Sequence, residues 1–345
     1  MHALRQIALM LLPLTLLALQ PTASAQTQAG QTQPGQTQAR TDPQSLSQPQ
    51  PQQQPQPQAP PPQQTRRPDR ILAWSPKPTH PSTWVAPNKP HWTLSEILAR
   101  HAKQQDWTET VVHGEFFTAR YISLGPGKST QPMMYADDRV TWIVQSGQIR
   151  FTIDGQEPFV ASKGFLEEVP YRTVYHLETV GDTASLRFEV TATAATPVFP
   201  INETPPQIPG KQYVKVSTYG HGHYDATNKP YLDFNKVIVQ DGTRPGAFVS
   251  DDKTFVNVIR GHGTPPPPSS DLGHFHLDFD EFWFILEGQI DYQIEGAPFF
   301  SATEGDVVYA PKGRWHRASS GGDGMSTRVA INPRPDGMHN FQPPD

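Results

Sequence analysis

His274 and His276 stand one residue apart in the run GHFHLDFDEFWFILEG, residues 273 to 288, and Glu281 follows five positions after the second histidine. Alternate side chains of a strand share a face, so the two imidazoles point one way and Phe275 the other. Their backbones lie about 7 Å apart, close enough for both rings to converge on one ion. Glu281 comes after the turn-like link LDFD and has the parity of Trp283 and Ile285. His316 lies in a second hairpin pattern, GDVVYAPKGRWH, whose turns are set by Gly305, Pro311 and Gly313. The chain has no cysteine, so any metal must sit on nitrogen and oxygen, and neither a disulfide nor a thiol nucleophile is available.

The elements that would hold these groups occur twice. A shift of 141 residues aligns WIVQSGQIRFTIDGQEPFVASKGFLEEVP (142 to 170) with WFILEGQIDYQIEGAPFFSATEGDVVYAP (283 to 311) without a gap, and ten positions are identical. Glycines, a proline and strand alternation all keep register, which indicates two tandem copies of one β-unit. The same shift carries His274 to Met133, His276 to Tyr135, Glu281 to Val140 and His316 to Tyr175. The scaffold is common to both copies while the four polar groups belong to the second alone. They therefore serve something other than packing.

The two segments resemble the paired motifs of the cupin family. The first reads His274, x, His276, four residues, Glu281, six residues, Gly288; the second reads Gly305, five residues, Pro311, x, Gly313, two residues, His316. The family's leading glycine would fall at Pro268 and its trailing asparagine at Ser320, neither of them a ligand position. The resemblance is close in the second lobe and extends to the first only as scaffold. It implies an all-β chain of two tandem jelly-roll barrels (the double-stranded β-helix), with one divalent metal held by His274, His276, Glu281 and His316. Three neutral imidazoles and a carboxylate suit Fe, Mn, Zn, Cu, Ni or Co and match poorly the all-oxygen sites of Ca or Mg. A hydrogen-bonded cluster without an ion is the rival reading, and the desolvation of buried histidines and an acid weighs against it.

Along the chain, residues 1–25 carry one Arg, an apolar stretch and Ala23-Ser24-Ala25, the pattern of a cleaved secretory signal. Residues 26–68 repeat QTQ units and run into a Gln/Pro-rich tract with no apolar period, the composition of a disordered tether. Thr93-Leu94-Ser95-Glu96 has capping-box form and predicts a short N-terminal helix at about 94 to 104. Strand-like runs separated by turn residues then follow, among them YVKVS (213 to 217) and KVIVQDG (236 to 242). The expected division is a metal-free lobe at 69–195, a Pro-rich linker at 196–212 and a metal-binding lobe at 213–345.

The net charge is −5, one unit more negative without residues 1–25, which leaves no basic footprint for nucleic acid or anionic lipid. The mature chain is expected to have no membrane span and to be secreted, in the periplasm. Phe282, Phe284 and Leu286 make the second face of their strand apolar as well, so it requires a cover, either the first lobe or a second subunit in a homodimer.

The function expected is that of a metal-dependent enzyme, an oxygenase on a small oxygen-rich or aromatic substrate, with Glu281 both ligand and proton carrier. A decarboxylase or lyase, and a non-catalytic metal- or ligand-binding protein of the envelope, are the alternatives. Trp283 and Tyr292 are candidate pocket walls by alternation, and Arg314 a candidate partner for a substrate carboxylate. His221 and His223 repeat the His-x-His spacing without an acid five residues on, in a glycine-rich loop.

Overall fold

The computed structural model describes residues 71–262 and 273–341. The expected signal, the Gln/Pro tether and Pro268 lie outside the described residues. Its regular structure is antiparallel strand apart from one α-helix, Leu94–Arg100, whose N-cap Thr93 and Glu96 form the capping box, and one helical turn at Asn235–Gln240.

The duplicated pattern is a duplicated structure. Val140–Ser146, Gln148–Ile153, Phe159–Ser162 and Tyr175–Val180 recur as Glu281–Glu287, Gln289–Ile294, Phe300–Thr303 and His316–Gly321. Each copy forms a barrel from a large sheet and a small one. In the first copy the large sheet runs Tyr231–Asp233, Phe165–Val169, Val140–Ser146, Ser185–Ala192, Phe117–Leu124, Trp107–His113. In the second it runs His91–Trp92, Val307–Ala310, Glu281–Glu287, Met325–Asn332, Phe255–His262, Ala247–Ser250. The glycines shared at the hairpin after the central strand have a physical reason. Gly147 and Gly288 take φ of +73° and +68°, and a Cβ at Gly147 would lie 2.7 Å from Ala184 O.

Each large sheet takes its outer strand from beyond its own copy. His91–Trp92, from the N-terminal segment, pairs with Val307–Ala310, while Tyr231–Asp233 pairs with Phe165–Val169. The two large sheets also share one apolar core. Along Glu281–Glu287, Trp283 and Ile285 face the second barrel's interior, and Phe282, Phe284 and Leu286 face this common core. Phe284 meets Tyr121 and Phe188 of the first copy, and Phe282 meets Phe117. The apolar outer face of that strand is thus covered by the first lobe, which accounts for six buried residues in a row.

Two segments with strand-like sequence adopt something else. Residues 213–217 form no strand and expose Tyr213, Val214 and Val216. Asn235–Gln240 is a wide helical turn, closed by Asp241 N donating to Lys236 O at 2.9 Å. The burial of Phe234 and Ile238, four residues apart, decides this: one helical face meets the core while Val239 stays exposed.

The first barrel's interior carries charge of its own. Glu189 accepts from Trp142 Nε1 at 2.9 Å and from Arg120 Nη1 at 3.1 Å. Glu167 and Arg187 are buried, and burial pushes the Glu167 carboxyl well above the ordinary range.

Candidate metal centre

Four side chains meet at one end of the second barrel. His274 lies in the two-residue strand His274–Phe275 and is the register partner of His316, which opens His316–Gly321. Glu281 comes from the large sheet as the first residue of Glu281–Glu287. His276 follows the short strand, and its carbonyl accepts from Gly313 N, which ties the first polar segment to the second. Gly313 takes φ of +76° there, a conformation that favours glycine.

Glu281 Oε2 is 3.0 Å from His276 Nε2, 3.1 Å from His316 Nε2 and 3.7 Å from His274 Nε2. The two Nε2 atoms of His274 and His316 are 3.1 Å apart. His276, Glu281 and His316 are buried, whereas the His274 side chain keeps 20% of its surface exposed and marks the open side. Among the described residues this is the group of His, Asp and Glu donors able to hold an ion.

The second nitrogens decide what the first can be. His276 Nδ1 is 3.0 Å from Met338 O and His316 Nδ1 is 3.0 Å from Arg314 O. A carbonyl only accepts, so each Nδ1 carries the hydrogen and each neutral ring presents an Nε2 lone pair to the centre. Both lone pairs face the Glu281 carboxylate oxygen, and that of His316 also faces His274 Nε2, at hydrogen-bond distance. Without a proton or a cation between them the contacts repel; a divalent ion relieves all of them together. The donor set therefore fits a first-row transition metal.

Electrostatics keep the set ready. Burial would raise the Glu281 carboxyl, but donation from His274, His276 and His316, when a proton sits on the Nε2 that faces it, holds it well below the usual carboxylate range. Burial also lowers His274, with Glu281 opposing and the neighbouring His316 and His276 adding to the lowering. With its nitrogen turned toward the carboxylate, the Asn332 amide donates to Glu281 Oε1 at 3.2 Å.

The expected pocket residues separate. Trp283 stands edge-on to His316, ring centroids 5.2 Å apart, and forms a wall. Tyr292 is one ring further out, 5.4 Å from Trp283, with its hydroxyl buried. Arg314 does not face the site as a carboxylate partner. Its guanidinium donates to Glu295 O and Ser82 O and lies over Trp84. Strand alternation fails at Arg314 because it sits in the turn before the strand begins at His316. His221 is 2.6 Å from Gly222 O through Nδ1, and the His223 carbonyl accepts from Arg139; neither joins the cluster.

Other contacts had no sequence signal. Phe279 stacks on His276 at 4.3 Å. The C-terminal segment crosses the open side: Asn340–Phe341 pairs with His274–Phe275, and His339 places its ring 4.7 Å from His274 and 4.6 Å from His276. These residues lie beyond both motifs, in RPDGMHN, which has no strand or helix period.

Residues 259–331 match the cupin domain family model. Solved structures of salicylate 1,2-dioxygenase from Pseudoaminobacter salicylatoxidans share the fold. One, a variant in complex with gentisate, has a TM-score of 0.54 at 11% identity, covering 74% of this chain and 83% of that one. Another has a TM-score of 0.54 at 12% identity, covering 74% and 86%. No curated protein matches. Among the described residues no helix is long and apolar enough to cross a membrane.

Proposed function

We propose that this chain, whose fold pairs two cupin-like barrels of which the second carries a four-donor group, is a metal-dependent oxygenase acting on a small hydroxylated aromatic or other oxygen-rich substrate. The observation that carries this reading is the convergence of three Nε2 atoms and one carboxylate oxygen, with an exposed side at His274. Four protein donors leave one or two positions on a six-coordinate ion. When bound, such an ion supplies Lewis acidity and, if redox-active, access to dioxygen chemistry. The likeness to a salicylate dioxygenase crystallised with gentisate supports a hydroxybenzoate-like substrate.

The chain's own residues divide the work. Glu281 lowers the charge of the loaded site by one unit and is its candidate proton carrier. Trp283 and Phe279 keep water from the flanks of His316 and His276. The carbonyls of Met338 and Arg314 hold two rings in the tautomer that binds metal.

Oxygen uptake by iron-loaded protein on addition of salicylate or gentisate tests the proposal. Uptake lost in His276→Ala supports it. Metal-dependent binding of these acids with no uptake supports the envelope binding protein instead, and carbon dioxide release without uptake the decarboxylase. The pattern in residues 1–25 supports a secreted, periplasmic location. Cell fractionation with N-terminal sequencing checks it, the expected mature start being Gln26.

A further inference from the structure

His339 belongs to no motif, yet its exposed ring lies against His274, the residue that marks the open side of the metal centre. A strap from Gly337 to Phe341 puts it there through four contacts. Met338 O accepts from His276 Nδ1 at 3.0 Å, Asn340 Nδ2 donates to Phe275 O at 3.1 Å, and Ser75 Oγ donates to Asn340 Oδ1 at 2.7 Å. Gly337 packs so closely that a Cβ would lie 2.5 Å from the Phe279 ring, the same ring that stacks on His276. The strap is thus fastened to the residues that form the site.

The His339 ring has a defined sense. Its Nδ1 is 2.9 Å from Gly337 O, so Nδ1 carries the hydrogen and Nε2 is left as an acceptor. Among the described residues Nε2 has no partner. The ring lies against His274 and His276 and stacks on Phe341, with 14° between their planes, but its nitrogens are not part of the four-donor group. It is exposed where the other three histidines are buried or half-buried. A neutral acceptor on the exposed side of the four-donor group, outside the donor set, is placed to meet a molecule that an ion held there would bind.

We propose that His339 is a substrate-orienting residue: Nε2 accepts a hydrogen bond from a hydroxyl of a substrate held at the metal. This rests on the reading of the site as a substrate-binding metal centre and narrows the substrate to one bearing a hydroxyl beside its metal-binding oxygen. A site built to accept from such a hydroxyl discriminates against the analogue that lacks it.

Cobalt-loaded protein provides the test, because the visible bands of Co(II) report metal binding and ligand binding without turnover. Salicylate and benzoate, which differ by that hydroxyl, are titrated into wild type, His339→Ala and His339→Asn. The expected result is one cobalt per chain and unchanged cobalt affinity in all three. Salicylate binds about tenfold or more weakly to His339→Ala, benzoate is unaffected, and His339→Asn, which keeps an acceptor oxygen, recovers part of the loss. Loss of cobalt affinity in His339→Ala makes the residue a ligand and overturns the proposal. Equal weakening of both acids makes it a packing residue and overturns it as well, as does salicylate affinity unchanged from wild type. If wild type binds no cobalt, or neither acid perturbs its bands, the reading of the site itself fails and this inference with it.

Discussion

His274 and His316 are register partners across two strands of the second barrel, with Nε2 atoms 3.1 Å apart, and Met133 and Tyr175 form the equivalent bridge in the first. One backbone geometry thus carries two different fillings. In the second barrel it brings together nitrogens that repel unless something positive lies between them. In the first, Tyr175 is buried against Trp142 and presents no metal donor of the histidine or carboxylate type. The difference lies in side chains and not in the fold.

Asn332 holds the Glu281 oxygen that faces away from the histidines. Loss of an outer partner of this kind costs metal affinity without removing a ligand. Asn332→Ala is expected to weaken metal binding about 10–100-fold while one equivalent still binds at saturation. Competition against a chelator of known affinity measures it. An affinity equal to wild type would show that Glu281 is oriented without Asn332.

Acid should release the metal through the histidines. Glu281 is held well below the usual carboxylate range, so it stays ionised while the imidazoles protonate. Imidazoles bind only when unprotonated, so affinity falls as pH drops below about 6.5 and is restored on the alkaline side. His274, lowered by burial, is expected to protonate below the ordinary histidine range in the metal-free protein. Metal retention after dialysis at stepped pH, with histidine titration followed by NMR on the metal-free form, checks both points. Release that begins only in the range of an ordinary carboxylate would contradict them.

Glu168 ties the lobes together and makes stability depend on pH in the opposite sense. Arg139 donates to both its oxygens, at 3.1 and 2.9 Å, and to Asp251 in the second lobe at 2.6 Å. Burial raises the Glu168 carboxyl to about 7 despite the opposing charge of Arg139. A carboxyl whose folded value lies above its unfolded one favours the folded state most below about 4.5, and that contribution is lost as pH rises through about 7. Glu168→Gln is therefore expected to gain stability relative to wild type between about pH 5 and pH 8. Urea midpoints of the two metal-free proteins across that range measure it. A constant difference would mean that Glu168 ionises in the folded protein much as it does in the unfolded chain.

Phe284 joins the two large sheets, fully buried between Tyr121 and Phe188. Phe284→Ala is expected to cost about 3–5 kcal/mol, the range for an aromatic truncated in a packed core. The shared core and the exchanged outer strands make both lobes lose stability together, so one denaturation transition should shift as a whole. Two transitions, of which one moves, would contradict the coupling.

What was readable in the sequence was local. The repeat fixes strand positions because alternation and hairpin glycines act within a few residues of each other. The four donors follow from spacing along the same strands. Long-range pairing is another matter: nothing in His91–Trp92 or Tyr231–Asp233 says that each completes the sheet of the other lobe. The β-branched run at 236–240 reads as a strand, and only the core waiting for Phe234 and Ile238 turns it into a helical turn. Arg314 shares the parity of His316 but precedes the strand, so its side chain is spent on Glu295 O and Ser82 O. Likewise the charges inside the first barrel, Glu167, Arg187 and Glu189, are invisible to alternation, which says which face a residue takes but not what it meets there. His339 is the sharpest case, brought to the centre by a strap that has no pattern of its own.

The central claim is most directly tested by anomalous diffraction from crystals of the metal-loaded chain, recorded on either side of the absorption edge of the bound metal. One peak per chain is expected, between the Nε2 atoms of His274, His276 and His316 and the Oε2 of Glu281. Density absent from that point, or an ion found instead beside Tyr135 and Tyr175 in the first barrel, would contradict it.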